Sequence, residues 1–247
     1  TAKERENAVL IKAQIYLDTK RYDACQTLLD QNKNTTTEFG IKCLEMVSRL
    51  YYSQKEYEKA YRSYSQMTQV NWDDPNKLME INYYLFDCDV KLSKKTQIIS
   101  RGEDYLKKYP ASPYCVSVLK EVFEAYYDNK KYSEAFAVAQ KLENQYKTTA
   151  RSAGIESQVN FIKKIMNGDQ TLKEAEKLYD DGKLAAAAEK YLVAAEVLRE
   201  TGNEEKAAMC LYTATECFVH LGKKGDANET ASLLKQLYPE SKYSSAV

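Results

Sequence analysis

Apolar residues recur along this chain with a helical period, interrupted by short polar turns. Val9, Ala13, Tyr16 and Leu17 share one face of a helix expected near 3–19, and Lys20-Arg21 turns into a second near 21–32. Thr35-Thr36-Thr37 is an N-cap cluster, with Glu38 supporting the first turn of a helix that ends near Gln54. A return helix follows over 56–69. Asp73-Asp74-Pro75 starts another, with Pro75 at its first position. Tyr109-Pro110 ends one helix and Ser112-Pro113 begins the next. Thr171 to Glu174 reads as a capping box, Asn203 as a cap before Glu204-Glu205, and Tyr238-Pro239 as the last stop.

Five sets of residues recur at +6, +9 and +13. They are Tyr16/Tyr22/Cys25/Leu29, Tyr51/Tyr57/Ala60/Tyr64, Tyr126/Tyr132/Ala135/Ala139, Leu178/Leu184/Ala187/Tyr191 and Phe218/Lys224/Ala227/Ala231. A large residue opens each set, a small one stands third, and a polar turn separates the first two. This predicts stacked helical hairpins rather than one globular core. The sets start 35, 75, 52 and 40 residues apart. The long second interval implies a degenerate hairpin over 75–109, where Asp89 stands in place of an aromatic. The third leaves room for one extra helix near 150–166, with Ile155, Val159, Phe161, Ile162 and Ile165 as its stripe and Gly168-Asp169 as its break. The fourth implies a short insertion over Arg199–Asn203. The expected division is four hairpins in 1–148, then the extra helix and two hairpins in 149–247.

Composition narrows the function. Of 247 residues, 44% are apolar and only eight are Gly and four Pro, which favours long helices. Lys+Arg and Asp+Glu balance at 36 each, and the basic pairs are scattered, so no nucleic-acid partner is expected. No stretch has the length of a membrane span. The chain opens at Thr1; a trimmed or processed form is expected, with any export signal or lipid-anchor Cys upstream.

Cys25, Cys43, Cys88, Cys115, Cys210 and Cys217 make no CxxC and have no neighbouring His, so they read as free buried thiols. His220 is the only histidine. No triad, HExxH or phosphate loop is present. Asp73-Asp74, Asp87/Asp89 and Asp180-Asp181 read as caps or solvated carboxylates rather than a cation site. No catalytic residue, metal or cofactor is expected.

The segment Leu44, Val47, Ser48, Tyr51, Tyr52, Tyr57, Ala60, Tyr64 resembles the tetratricopeptide repeat. So does Leu119, Val122, Tyr126, Tyr127, Tyr132, Ala135. The resemblance covers nearly the whole chain except 75–109 and 150–166. It implies an all-α, right-handed α-solenoid of about six repeats plus the extra helix. Tyr109-Pro-Ala-Ser112-Pro-Tyr114 and Tyr238-Pro-Glu-Ser241-Lys-Tyr243 share a Tyr-Pro-x-Ser-x-Tyr ending. That ending resembles the bacterial envelope subset: outer-membrane assembly lipoproteins and the Tol–Pal coordinator.

The resemblance implies a concave face lined by the first helix of each hairpin. By repeat position its outward residues are Glu45, Arg49 and Tyr52; Tyr83 and Asp87; Lys120, Glu124, Tyr127 and Asp128; and Tyr212, Glu216 and His220. Glu124 stands where the chaperone-tail clamp of the family uses Asn, so a free carboxylate is not the expected ligand. The expectation is a non-catalytic scaffold that docks a protein segment on this face, in the periplasm or cell envelope. A cytoplasmic adaptor and a self-associating structural module are the alternatives.

Overall fold

Helix ends set this architecture more than helix interiors do. The computed structural model describes residues 1–247, which form twelve α-helices and no strand. They are α1 (Ala2–Asp18), α2 (Tyr22–Asp30), α3 (Glu38–Ser53), α4 (Tyr57–Met67), α5 (Pro75–Lys91), α6 (Lys95–Lys108), α7 (Cys115–Asp128), α8 (Tyr132–Tyr146), α9 (Glu156–Asp180), α10 (Leu184–Glu200), α11 (Glu204–His220) and α12 (Lys224–Leu237). Within α1–α8 and within α9–α12 each helix packs on the next, giving an α-solenoid of helical hairpins. Two compact units divide the chain: Thr1–Ala153 holds α1–α8, and Gly154–Val247 holds α9–α12.

Seven turns share one C-terminal geometry. Lys20, Lys55, Ser93, Lys130, Gly182, Gly202 and Gly222 all take positive φ, between 54° and 74°. In the α3–α4 turn the Glu56 N–H donates to the Tyr51 carbonyl at 2.9 Å, and the Lys55 N–H to that of Tyr52 at 3.0 Å. The same pair of bonds recurs in the other six turns. This is the Schellman arrangement, which satisfies carbonyls that a helix end would leave bare. It explains the spacing of the sets. The opening residue supplies the carbonyl, the residue at +4 turns left-handed, and the residue at +6 begins the next helix. The small residue at +9 is then fully buried at Cys25, Ala60, Ala135 and Ala187.

Several sequence expectations change here. The α5–α6 hairpin is complete: Asp89, Lys95, Ile98 and Gly102 occupy the four places of the set. Its sizes are inverted, with Ile at the small position and Gly one turn later. Gly102 makes the room, since a Cβ there would stand 2.3 Å from Val122 Cγ2. Asp87 and Asp89 are neither caps nor solvated; both are buried, Asp89 to 1% exposure.

No separate helix forms at 150–166. The apolar stripe is the first half of α9, which runs 25 residues through Gly168-Asp169 without a break. Gly168 is buried there, 3.1 Å from Val197 Cγ1 by an added Cβ, so it serves close approach to α10. Thr171 therefore caps nothing; its hydroxyl donates to the Asn167 carbonyl within the helix. Asn203 holds the N-cap position of α11 without a side-chain bond. The segment 199–203 is no insertion. Leu198, Glu204, Ala207 and Leu211 form another set, with Gly202 at its left-handed position. Leu178, Leu198 and Phe218 thus repeat every 20 residues, one helix per repeat. Ala175, Ala187, Ala194, Ala207 and Ala214 are fully buried and let α9, α10 and α11 approach closely.

The other expected caps form. Thr37 and Asp74 accept backbone N–H bonds from Gly40 and Asn76, and Pro75 is the first residue of α5. The two Tyr-Pro-x-Ser-x-Tyr endings close alike. Ser112 and Ser241 donate backbone N–H bonds to Tyr109 and Tyr238, both at 3.0 Å. Their hydroxyls accept from the Tyr114 and Tyr243 N–H at 3.1 and 3.3 Å.

Candidate functional site

Glu45 and Arg49 sit four apart on α3, and Lys77 and Glu80 three apart in the first two turns of α5. Those spacings put each pair on one helix face. The four meet between the helices. Arg49 reaches Glu45 at 3.2 Å and Glu80 at 3.6 Å, while Lys77 pairs with Glu45 and lies 3.8 Å from Glu80. Two cations balance two carboxylates, so the cluster is neutral and fixed in position. Arg49 remains its most open member, at 56% exposure.

Tyrosines continue this face. Tyr52 of α3 donates its hydroxyl to the buried carboxylate of Asp87 on α5. Its ring meets Tyr84 edge-on at 5.1 Å, and Tyr84 stacks on Tyr64 at 5.0 Å. Next along α5, Tyr83 stacks on Tyr114, ring centroids 3.9 Å apart and planes within 10°. Burial pushes the Tyr83 hydroxyl up to about 12, with Asp87 adding to it. Burial, then the bond to Asp87, raises Tyr52 as well. Both therefore stay neutral donors at any physiological pH. Tyr52, Tyr83 and Asp87 thus hold hairpins together as much as they present a surface.

On α7, the Tyr127 ring packs against Phe123 and Tyr132 at 6.1 and 5.8 Å. Asp128 is paired with Lys95 of α6 at 2.8 Å. Lys120 and Glu124 are half-buried on the same helix. In the C-terminal unit, Tyr212 donates to Glu216 at 2.9 Å and its ring lies 5.5 Å from Tyr243. His220 is exposed one turn further on.

The structure therefore gathers Glu45, Arg49, Tyr52, Tyr83 and Asp87 into one patch across α3 and α5. Lys120, Glu124, Tyr127 and Asp128 form a second group on α7, and Tyr212 and Glu216 belong to the other unit. Lys77, Glu80, Tyr84 and Tyr114 were missed from sequence. Lys77 and Glu80 carried one usable signal, their three-residue spacing directly after the Pro75 helix start.

The six cysteines are free and buried. No group of three His, Cys, Asp or Glu residues stands close enough to hold a metal ion. No helix is long and apolar enough to cross a membrane.

No family model matches the chain, and no curated protein matches it. Solved structures do. A tetratricopeptide repeat protein from Parabacteroides merdae superposes with a TM-score of 0.52 at 11% identity, over 98% of this chain and 97% of that one. A kinesin-light-chain-type protein of Podosopora anserina with nearly identical tetratricopeptide-like repeats gives 0.40 at 10% identity, over 94% of each chain. The first of these, together with the twelve-helix hairpin order, gives this chain the fold of a tetratricopeptide-type α-solenoid.

Proposed function

We propose that this chain is a non-catalytic scaffold that docks a protein segment on the α3–α5–α7 face, within a bacterial cell-envelope assembly. The observation that carries the reading is the pre-ordered surface around Arg49. Its tyrosines and ion pairs are already locked by partners on neighbouring helices. A docking segment would then meet a surface with little side-chain freedom left to lose. Tyrosine and arginine amid mixed charge is also the composition of protein-contact surfaces. The envelope part rests on the shared Tyr-Pro-x-Ser-x-Tyr endings, whose hydrogen bonds match in both copies. The cytoplasmic adaptor remains a second reading, favoured by six unpaired thiols.

Lys91 stands one turn beyond Asp87 on α5, its ammonium 3.8 Å from that carboxylate. The test is capture of partners from the native organism by the folded chain, beside Arg49→Glu and Lys91→Glu. Both side chains are substantially exposed, at 56% and 43%, so folding should survive. A partner lost with these variants and retained by a control, Leu237→Ser at an exposed position of α12 in the other unit, supports the face. A partner held equally by all of them overturns it. Fractionation of the native protein decides the compartment: recovery in the periplasmic or membrane fraction supports the envelope, and recovery in the cytosol supports the adaptor.

A further inference from the structure

A second surface lies on α6, α7 and α8 in the N-terminal unit. These helices enclose an open groove of about 500 Å³. Its floor is apolar: Leu106, Leu119 and Val122 line it, each at most 5% exposed in the native packing. Half-buried Val138 of α8 forms one wall.

Charge is distributed along this groove with a direction. Glu103 of α6 and Glu134 of α8 share the end near Tyr126. The Tyr126 hydroxyl donates to Glu103, and burial, that bond and both carboxylates hold it up at about 12. Lys107 and Lys141 follow one and two helical turns later, on the other end. Glu134, Lys107 and Lys141 make no ion pair within the chain, in contrast to the self-paired cluster of Glu45, Arg49, Lys77 and Glu80. An apolar trough with carboxylates at one end and unpaired ammonium groups at the other is complementary to a helix of ordinary charge order. Helices favour acidic residues in their first turn and basic ones in their last.

We propose that this groove docks an amphipathic helix of a partner protein. The helix lays an apolar stripe on Leu106, Val122 and Val138. Its acidic first turn faces Lys107 and Lys141, and its basic last turn faces Glu103 and Glu134. It therefore runs antiparallel to α6 and α8. This surface is independent of the α3–α5–α7 face, so either can fail without the other.

The probe is a fluorescein-labelled helical peptide of about 14 residues, long enough for four turns. It carries Glu in its first turn, a Leu stripe, and Lys in its last turn. Its counterpart keeps the composition and exchanges the two charged turns. Anisotropy titration of the full chain should show saturable binding of the first peptide, about tenfold tighter than the second, as four rim pairs would give. The variant Lys107→Glu/Lys141→Glu/Glu134→Lys should invert that preference, and Val138→Arg should abolish binding of both. A circular-dichroism melt confirms that each variant is folded. Equal affinity for the two peptides, no saturable binding of either, or indifference to Val138→Arg in a folded variant overturns the proposal. So does concentration-dependent dimerisation that Val138→Arg removes, because the occupant is then a second copy of this chain.

Discussion

Arg101 donates its Nε–H to the carboxylate of Asp89 at 2.7 Å, and that carboxylate is only 1% exposed. The guanidinium also donates to the Tyr61 hydroxyl at 2.6 Å, so one side chain joins α4, α5 and α6. Asp89 stands where other sets open with Tyr, Leu or Phe. An ion pair thus replaces the usual apolar contact. Removing one partner of such a pair strands the other charge away from water.

Arg101→Met should therefore destabilise the N-terminal unit by about 3 kcal/mol, read from the urea midpoint. Arg101→Met/Asp89→Leu should recover most of that loss, since two apolar side chains leave no charge unpaired. A double variant less stable than Arg101→Met would mean that the site cannot accept an apolar opening residue.

Much of the fold was legible because turn chemistry is local. Tyr51 to Tyr57 and Tyr126 to Tyr132 contain a whole Schellman turn, so spacing alone revealed them. Leu198 escaped notice because the turn between hairpins uses the same geometry as the turn within one. Gly168 was misread because a glycine that allows helix contact looks in sequence like a glycine that ends a helix. The site was less legible. Glu45 and Arg49 could be placed on an outward face by their positions in the repeat. Their partners Lys77 and Glu80 come from another helix, and the Tyr52–Asp87 bond spans 35 residues. No local pattern records such a pairing.

The left-handed turn residues give a cleaner test of the repeat. Lys55 and Lys130 take φ of 62° and 58°, a region costly to residues with a Cβ. Lys55→Gly and Lys130→Gly should each raise stability by about 0.5–1 kcal/mol, after the extra unfolded-state entropy of glycine is counted. Gly202→Ala should do the reverse, losing about 1 kcal/mol. Nothing lies within 4 Å of an added Cβ at Gly202, so its φ of 74° is the only cost. Chemical denaturation of the three variants checks the signs; a stabilised Gly202→Ala would refute the turn geometry.

Gly102 tests packing instead. A methyl there meets Val122 Cγ2 at 2.3 Å and Phe86 Cε2 at 3.1 Å. Gly102→Ala should cost about 2 kcal/mol despite the better helix propensity of Ala. Val122→Ala removes the colliding methyl and opens a space of its own. The pair together should be less destabilised than the sum of the singles, a coupling that a double-mutant cycle measures. Strict additivity would mean that α6 and α7 yield without using Val122.

Alkaline unfolding should be steep, because the fold buries so many weak acids in their neutral forms. Burial pushes Tyr83, Tyr105, Tyr126 and Tyr191 up to about 12, against an ordinary value of 10. It pushes Cys43 up to about 11 and Cys88 and Cys210 up to about 12, against 9. Between the ordinary and folded values the native state holds more protons than the unfolded chain. Stability therefore falls as pH rises through that window, while below pH 9 these groups contribute fully. The fall should begin near pH 9 with the thiols and steepen between 10 and 12 with the phenols. The last part of the rise in tyrosinate absorbance, from these buried phenols, should coincide with loss of helical circular dichroism. At pH 8, a thiol reagent should label the native protein only slowly and all six cysteines once it is denatured. Complete phenol ionisation below pH 11 with full helicity retained would show that these tyrosines are open to water.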